Sequence, residues 1–361
     1  MEVPRVLIFS TAYKPLIGGS EIAIDEITKR LGHIEFDIIT PRFDRKSGVF
    51  EKDGNRSIHR VGLGIAFDKY LLPFLGAWLG FRFSLKHHYR SSHAFQASYG
   101  AVAGALLSFV RPSIPFVITL QEGKNLPLQS FLVRKIRNFV LRRSSIITAI
   151  SAYLVRFASE VNPKAHVVII PNGVSVDNFR SKQEKTEDGL IISVSRLVKK
   201  NGIDVLLRAM PLVENSFHVM LIGDGKELNA LQKLSAELGI RDRVEFAGSI
   251  ENSKIPDYLH RASMFIRPSR SEGLGVSFLE AMAAGVPIIA TPVGGISDFL
   301  IDGETGLFCK VDDPPSLAFA IRRISQDVDL RKRVIVNAYE MIKNKYDWDS
   351  IALVYKKELY A

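Results

Sequence analysis

Short apolar runs of strand length alternate along the chain with stretches in which apolar residues recur at helical spacing. In the first half the runs that predict strands are RVLIFST, FDIITP, PFVITL, SSIITAI and HVVIIP, and residues 20–31 predict the first helix. The second half restarts at LIISVSR and continues with HVMLIGDG, RVEFAGS, ASMFIRPS, VPIIAT and TGLFCKV. Because strands that alternate with helices form parallel sheets covered by helices, the pattern predicts an α/β protein.

The alternation breaks at PNGVSVDNFRSKQEKTEDG, where Pro, Gly, Asn and mixed charges are typical of a linker. A chain of 361 residues is long enough for two domains. We therefore predict one doubly wound domain over residues 1–170, a linker over 171–188 and a second doubly wound domain over 189–340. The helical pattern of residues 341–361 predicts a last helix that crosses back to the first domain.

The two halves of the chain differ in charge. The net charge is +10, and all of the excess positive charge lies in the first half. Residues 1–165 contain 23 Lys and Arg against 12 Asp and Glu. We therefore expect the first domain to meet an anionic partner. Two stretches of the first half mix cations with apolar residues: KYLLPFLGAWLGFRFSLKHHYR and SFLVRKIRNFVLRRS. Each stretch indicates either a basic helix suited to an anionic membrane surface or a helix that packs on the sheet. No nucleic-acid-binding motif accompanies them, so we expect no nucleic acid partner.

Other features of the sequence bear on the compartment. The start, MEVPRVLIFS, lacks the pattern of a secretory leader, and the longest apolar runs are shorter than the ~20 residues of a spanning helix. The single cysteine, Cys309, permits no intrachain disulfide, and we expect it to be a small buried hydrophobe. These features predict a cytoplasmic protein, and the basic first half leaves open peripheral association with the inner face of the membrane.

Two glycines and two glutamates stand together in SEGLGVSFLEAMAAGVPIIAT, residues 271–291. Gly273 and Gly275 allow a ligand to approach the backbone, and a helix is predicted to begin near Val276. The N-terminus of a helix is a ready site for phosphate. Since open α/β sheets bind ligands at the carboxyl ends of their strands, this turn is a candidate ligand site.

Glu280 lies inside that predicted helix. Its neighbours three and four positions away are small or apolar, and none is basic. A carboxylate in such surroundings needs a hydrogen-bond donor, and a sugar diol such as that of a ribose would supply two. The alternative is a solvated glutamate on the helix face.

The longer stretch SEGLGVSFLEAMAAGVPIIATPVGGISDFLIDGETGLF resembles the signature of the retaining, nucleotide-sugar-dependent glycosyltransferases of family 4. Further matching stretches follow in the same order as in that family: PLIGGSE, IIPNGVSVDNF, SVSRLVKKNGIDVLLRAM and LIGDG. The resemblance implies the GT-B fold, in which two Rossmann-like domains face each other across a cleft. It also implies metal-independent transfer of a sugar from a nucleotide diphosphate sugar to a glycan or lipid-linked acceptor, with no cofactor beyond the donor.

The same resemblance implies roles for individual residues. Glu272 would contact the donor sugar near its reacting carbon, and Glu280 would hold the ribose hydroxyls. Arg196 and Lys200 would neutralise the leaving diphosphate. The other residues expected to bind the donor are Gly18, Gly19, Gly223, Gly273, Leu274, Gly275 and Val276, of which Gly18 and Gly19 lie in a loop that approaches either the donor phosphates or the acceptor.

Two positions depart from the family pattern. Asn201 stands where the family has a lysine, so we assign that role to Lys200, with Lys199 as the alternative. Gln121 stands where family members often have a histidine, and an amide can form hydrogen bonds but cannot titrate. His93 would either face the site or be an ordinary histidine with satisfied hydrogen bonds.

No metal site is expected. The stretch DVD, Asp327–Asp329, resembles the Asp-x-Asp motif of metal-dependent transferases. It lies in the helical C-terminal region, where a solvated helix surface is the favoured interpretation.

Three functions stay open at this point. The first is a retaining hexosyltransferase that acts in envelope-glycan, polysaccharide or glycolipid synthesis. The second is a nucleotide-sugar epimerase of the same fold. The third is a catalytically silent donor-binding subunit, a hypothesis that the departures at Gln121 and Asn201 keep open.

Overall fold

The computed structural model describes residues 3–16, 18–121, 130–180 and 187–360. The chain forms two compact units, of which the first comprises Met1–Asn172 with Trp348–Ala361 and the second comprises Gly173–Asp347.

The first unit is a sheet covered by helices. Its strands are β1 (Arg5–Ser10), β2 (Glu35–Pro41), β3 (Phe50–Asp53), β4 (Arg56–Val61), β5 (Tyr89–Phe95), β6 (Phe116–Leu120), β7 (Ile146–Ala149) and β8 (His166–Ile169). Its helices before the linker are α1 (Gly19–Arg30), α2 (Asp68–Ser84), α3 (Tyr99–Val110), α4 (Phe131–Arg143) and α5 (Ala152–Val161). Within the described residues the strand order is β3-β4-β2-β1-β5-β6-β7-β8, and every pairing is parallel except the β3–β4 hairpin.

The sequence pattern missed three strands of this sheet. β3 and β4 form an edge hairpin with little apolar character, while β5 pairs with β1 inside the sheet. Ser91, Ser92 and His93 in β5 are buried polar residues, so the strand lacks the continuous apolar run by which a buried strand is predicted.

The second unit is a smaller parallel sheet. Its strands are β9 (Leu190–Val194), β10 (His218–Ile222), β11 (Val244–Gly248), β12 (Met264–Arg267), β13 (Ile288–Ala290) and β14 (Leu307–Phe308). Its helices are α6 (Val176–Phe179), α7 (Ile203–Ala209), α8 (Leu228–Glu237), α9 (Ile255–Arg261), α10 (Val276–Ala283), α11 (Pro314–Gln326) and α12 (Val328–Lys345). In the described part of this unit the strand order is β11-β10-β9-β12-β13-β14, all parallel. Cys309 follows β14 and is buried, as expected of a small hydrophobe.

The unit boundaries differ in detail from the predicted ones. The predicted linker 171–188 contains α6, which belongs to the second unit. The return to the first unit begins at Trp348 and not at residue 341, because the apolar face of α12 continues past that point and buries Ile342 in the second unit.

The C-terminal segment completes the core of the first unit. Helix α13 (Trp348–Tyr355) packs against α1 and is followed by a π-helical turn, Lys356–Tyr360. Trp348, Ile351 and Tyr355 share one apolar cluster with residues of β1, β2 and α1. Among the helices in the described part of the chain, none combines the length and apolar character needed to cross a membrane.

Candidate active site

The candidate site lies at the carboxyl edge of the second sheet. β9 is flanked by β10 and β12, and the loops that follow these three parallel strands leave from the same edge. They carry Arg196 and Lys200 after β9, Gly223 after β10, and Glu272 after β12. The fold thus gathers on one edge residues that are far apart in sequence.

The turn after β12 ends in Gly275, which precedes α10 and has a φ of +91°. A Cβ atom at this position would lie 2.7 Å from the ring of Phe278 and 2.9 Å from the guanidinium of Arg267. Glycine is therefore required here both by the backbone conformation and by the close approach of these side chains. The predicted helix start at Val276 is confirmed.

Glu272 is held by three groups. Its Oε2 accepts a hydrogen bond of 2.9 Å from Nη2 of Arg267, and its Oε1 accepts one of 3.0 Å from the backbone N–H of Gly273. The ammonium of Lys200 lies 3.6 Å from Oε1. The carboxylate therefore has a close cationic partner on one side and a looser one on the other.

Arg267 was not singled out from the sequence. It ends β12, and its side chain is only 6% exposed. Its Nη1 donates to Oγ of Ser277 at 2.7 Å and to the carbonyl of Val194 at 3.2 Å, and its guanidinium lies 4.3 Å from the ring centroid of Phe278. The sequence signal that could have revealed it is a charged residue that ends an apolar run, MFIR, directly before the glycine turn.

Asn201, the first departure from the family pattern, is buried and stabilises its own loop. Its Nδ2 donates a hydrogen bond of 2.6 Å to the carbonyl of Arg196. Lys199 is exposed, whereas Lys200 is partly buried and directed at Glu272. Of the two lysines weighed from the sequence, the geometry therefore favours Lys200 as the cation of the site.

The surroundings of Lys200 lower its pKa. Burial is the largest cause, and the positive charges of Arg267 and Arg196 act in the same direction, while Glu272 opposes them. Cations gathered at this density are suited to receiving an anion.

A second arginine, Arg270, joins the two loops that carry Lys200 and Glu272. Its guanidinium donates to both carboxylate oxygens of Asp204 at 2.9 and 2.7 Å and to Asp312 at 2.6 Å. It also donates to the carbonyl of Lys199 at 2.6 Å. Such a forked set of charge-assisted bonds fixes one loop against the other. Sequence reasoning missed this residue too, because its partners lie far from it in the sequence, within residues 199–204 and at Asp312.

Glu280 lies on α10. Burial of its carboxyl group raises the pKa to about 7, and the positive charge of Arg267 partly opposes this effect. Among the residues that the structure describes, none donates a hydrogen bond to its carboxylate. The side chain is half-buried, and a carboxylate that is partly withdrawn from water without a hydrogen-bond donor is destabilised. The side chain is therefore available to a ligand that brings donors of its own.

Gly223 follows β10 with a φ of +131°, and a Cβ atom there would collide with the carbonyl oxygen of Ser195. The glycine thus lets the loops after β9 and β10 lie against each other. Leu274, another predicted donor-binding residue, is only 1% exposed. It can therefore contact a donor through its backbone but not through its side chain.

Gly18 and Gly19 lie in the first unit, at the start of α1. Gly18 is the N-cap residue, and Ser20 does not cap the helix, because its hydroxyl donates to Glu21 at 2.8 Å. The amide of Gln96 in turn donates to Ser20 at 3.1 Å. The predicted role of the two glycines in ligand binding stays a prediction.

The second departure, Gln121, is bonded to Asn172 through both amide groups. Nε2 of Gln121 donates to Oδ1 of Asn172 at 3.1 Å, and Nδ2 of Asn172 donates back at 3.3 Å. His93, which was weighed as a site residue, is fully buried with both ring nitrogens hydrogen-bonded, to Tyr360 at 2.6 Å and to Thr119 at 2.7 Å. It is an ordinary core histidine.

Two family models match the chain in adjoining parts. The model described as Glycosyltransferase Family 4 matches residues 17–178, and the model described as Glycosyl transferases group 1 matches residues 175–341. The chain belongs to glycosyltransferase family 4.

A relative of this glycosyltransferase is the GDP-mannose-dependent alpha-(1-6)-phosphatidylinositol monomannoside mannosyltransferase of Mycobacterium tuberculosis. It is 31% identical over 238 residues, which cover 59% of this chain and 62% of the relative.

Two solved structures share the fold of the glycosyltransferase. Sucrose-phosphate synthase from Thermosynechococcus elongatus has a TM-score of 0.83 at 20% identity, with 99% of this chain and 98% of that one covered. Anabaena HepE in complex with UDP has a TM-score of 0.81 at 18% identity, with 98% and 99% covered. The predicted GT-B fold is confirmed.

The glycosyltransferase shows no metal-binding cluster in the part of the chain that the structure describes: no group of three or more His, Cys, Asp or Glu side chains could hold an ion. Asp327, in the stretch that resembles a metal motif, instead caps α12 and accepts a hydrogen bond of 2.8 Å from the N–H of Leu330.

The two basic stretches expose apolar side chains in the first unit. In α2, Phe74 and Trp78 are exposed, and Arg82 lies over the Trp78 ring. In α4, the exposed apolar residues are Phe131, Leu132, Val133, Ile136 and Phe139. The alternative was that Phe131, Ile136, Phe139 and Val140 pack on the sheet. Of these four, only Val140 is buried, and the other three are exposed.

Proposed function

We propose that this glycosyltransferase moves a sugar, with retention of anomeric configuration, from a nucleotide diphosphate sugar to a hydroxyl group of a lipid-linked or glycan acceptor. The observation that carries the proposal is the contrast between the two glutamates of one motif. Glu272 is fixed between Arg267 and Lys200, whereas Glu280 is half-buried with no donor among the described residues.

Glu280 would hold the nucleotide. A ribose presents two adjacent hydroxyl groups, and a single carboxylate can accept a hydrogen bond from each of them. Those donors would compensate the burial of the carboxylate and favour its ionised form. HepE, which shares the fold, was solved with UDP, and the mycobacterial relative is named for GDP-mannose, so both support a nucleotide donor.

The diphosphate would lie between the N-terminus of α10 and the two cations Arg196 and Lys200. In the reaction the bond between the anomeric carbon and the phosphate oxygen breaks, and its electron pair stays on the diphosphate. Cations and helix N–H groups aimed at that oxygen stabilise the developing charge. No step of this kind requires a metal.

The acceptor hydroxyl would attack the anomeric carbon from the face that the diphosphate leaves. The departing phosphate oxygen would take the acceptor proton, so that one C–O bond forms as the other breaks and no base from the protein is needed. Glu272, fixed beside Lys200, would contact the donor sugar near the reacting carbon.

A lipid-linked acceptor at an anionic membrane is supported by the first unit. The exposed apolar residues of α4 stand among Arg134, Lys135 and Arg142, which are exposed as well. Each Lys or Arg near an anionic surface contributes about 1 kcal/mol. The name of the mycobacterial relative includes phosphatidylinositol monomannoside, which is an anionic lipid.

Thermal-shift measurements with UDP, GDP and ADP test the donor site. A ligand at about a hundred times its dissociation constant adds about 2.7 kcal/mol of stability. We expect one nucleotide to raise the melting temperature of the wild type and not that of Glu280→Ala. Glu237→Ala, on an exposed position of α8, is the matched control and should behave as the wild type.

The other candidate functions predict different results. An epimerase would interconvert free nucleotide sugars with no acceptor present. A silent subunit would bind a nucleotide but release no diphosphate from any nucleotide sugar when lipid and glycan acceptors are supplied. Stabilisation by none of the three nucleotides would contradict the proposed donor site.

A further inference from the structure

Arg267 is a buried cation that acts on both glutamates of the site. Its Nη2 lies 2.9 Å from Glu272, and its positive charge opposes the effect of burial on the pKa of Glu280. An arginine keeps its charge in proteins, and a buried charge is tolerated only beside a partner. Arg267 and Glu272 therefore form a pair that the fold has to keep together.

Its remaining contacts fix Arg267 in place. Nη1 donates to Ser277 on α10 and to the carbonyl of Val194 at the end of β9, and the guanidinium lies on the ring of Phe278. The side chain is thus tied to two elements besides its own strand. It belongs to the rigid frame of the site and is not positioned to swing towards a ligand.

Lys200 stands on the other side of the same carboxylate. Its ammonium is 3.6 Å from Oε1 of Glu272, a looser contact than the 2.9 Å bond from Arg267 to Oε2. The N–H of Gly273 also donates to Oε1 at 3.0 Å. If Lys200 turns away, Glu272 still keeps a cation and a hydrogen bond.

We propose that Arg267 is a positioning residue that neutralises Glu272, so that Lys200 can turn from this carboxylate to the diphosphate of the donor. The inference rests on the proposed function, because it requires a diphosphate beside Lys200. Without Arg267, Lys200 would be the sole cationic partner of Glu272 among the described residues. The diphosphate would then have to compete with that carboxylate for the ammonium of Lys200.

A double-mutant cycle separates this role from a purely structural one. We would measure by calorimetry the dissociation constant of the nucleoside diphosphate that gives the largest thermal shift. The pH is set well above the pKa of Glu280, so that this acid stays ionised in every protein. The four proteins are the wild type, Arg267→Met, Glu272→Gln and the double variant. We expect Arg267→Met to weaken binding about tenfold in the wild-type background, which corresponds to about 1.4 kcal/mol.

In the Glu272→Gln background the competing charge is gone, so Arg267→Met should change the dissociation constant less than about twofold. An equal loss in both backgrounds would overturn the inference, because Arg267 would then act through general structure or on the ligand itself. Unchanged binding by Arg267→Met would overturn it as well. A wild type that binds none of the nucleotides would instead refute the proposed function, and the inference with it.

Two further variants serve as a fallback and a control for this experiment. If Arg267→Met does not fold, Arg267→Lys keeps the charge but cannot form the same fork, and we expect a smaller loss that again disappears in Glu272→Gln. Arg243→Met is the matched control: Arg243 is a partly buried arginine of the same unit that bonds to the carbonyls of Phe217 and Glu214, and its loss should leave nucleotide binding unchanged.

Discussion

His93 and Tyr360 are 267 positions apart in the chain, and their side chains share a buried hydrogen bond of 2.6 Å. Burial lowers the pKa of His93 to about 3, so the ring is neutral at physiological pH. The bond joins the last turn of the chain to β5, in the middle of the first sheet. The C-terminal segment is therefore part of the core of the first unit.

We predict that Tyr360→Phe lowers the free energy of unfolding by about 1–3 kcal/mol, because it leaves a buried ring nitrogen without its partner. Urea unfolding of the whole chain measures the effect. Tyr153→Phe, at an exposed position on α5 of the same unit, should change it by less than about 0.5 kcal/mol. Equal effects of the two variants would refute the role of the Tyr360 hydroxyl.

Lys199 and Lys200, adjacent in the loop after β9, allow a matched comparison of two alanine variants. Lys200→Ala should reduce the rate of sugar transfer by about 10²–10³, because it removes a cation aimed at the leaving diphosphate. Lys199→Ala should stay within about twofold of the wild type, since that side chain is exposed. Release of nucleoside diphosphate from the donor measures both. The reverse order of effects would mean that the cation was assigned to the wrong lysine.

The sequence could predict the structural features that depend on neighbouring residues, but not those that depend on contacts between distant segments. The strands with continuous apolar runs and the helix that follows Gly275 were predictable, because local pattern and turn chemistry determine them. β5 was not, since Ser91, Ser92 and His93 are buried only in the folded sheet. Glu272 and Glu280 were found through the glycine turn, whereas the partners of Arg267 are defined only when β9, β12 and α10 meet.

The exposed face of α4 predicts binding to anionic vesicles. Leu132→Asp should reduce partitioning into phosphatidylglycerol vesicles about tenfold or more, because burying a leucine is worth about 1.5–3 kcal/mol. Leu353→Asp is the control, at an equally exposed leucine of α13 in the same unit. Cosedimentation at low and high salt measures both, and equal losses would show that α4 is not the membrane-binding surface.

The pKa of Glu280 predicts a pH dependence of nucleotide binding. Burial raises the pKa of this acid to about 7, and hydroxyl donors need the ionised form. The dissociation constant should therefore rise by about tenfold for each pH unit below 7 and be level above it. Glu280→Gln should lack this component, while titration of the nucleotide itself affects both proteins alike. The same slope in both proteins would contradict the assignment.

In the unliganded protein, Glu280 makes the free energy of unfolding depend on pH in the opposite direction to nucleotide binding. Because the folded pKa of Glu280 is higher than the unfolded value of 4.5, the folded state binds more protons between pH 4.5 and about 7. The contribution of Glu280 to stability therefore falls as the pH rises through this window. Glu280→Gln should lack that fall in urea unfolding, and an identical pH profile would contradict the raised pKa.

The most direct measurement is a cycle between the carboxylate of Glu280 and the ribose diol. The stabilising nucleotide and its 2′,3′-dideoxy analogue are titrated into the wild type and into Glu280→Ala. We predict that loss of the diol weakens binding to the wild type by about tenfold or more, as expected when a charged acceptor loses its donors, and that it has little effect on Glu280→Ala. An equal loss of affinity in both proteins would show that Glu280 does not hold the ribose.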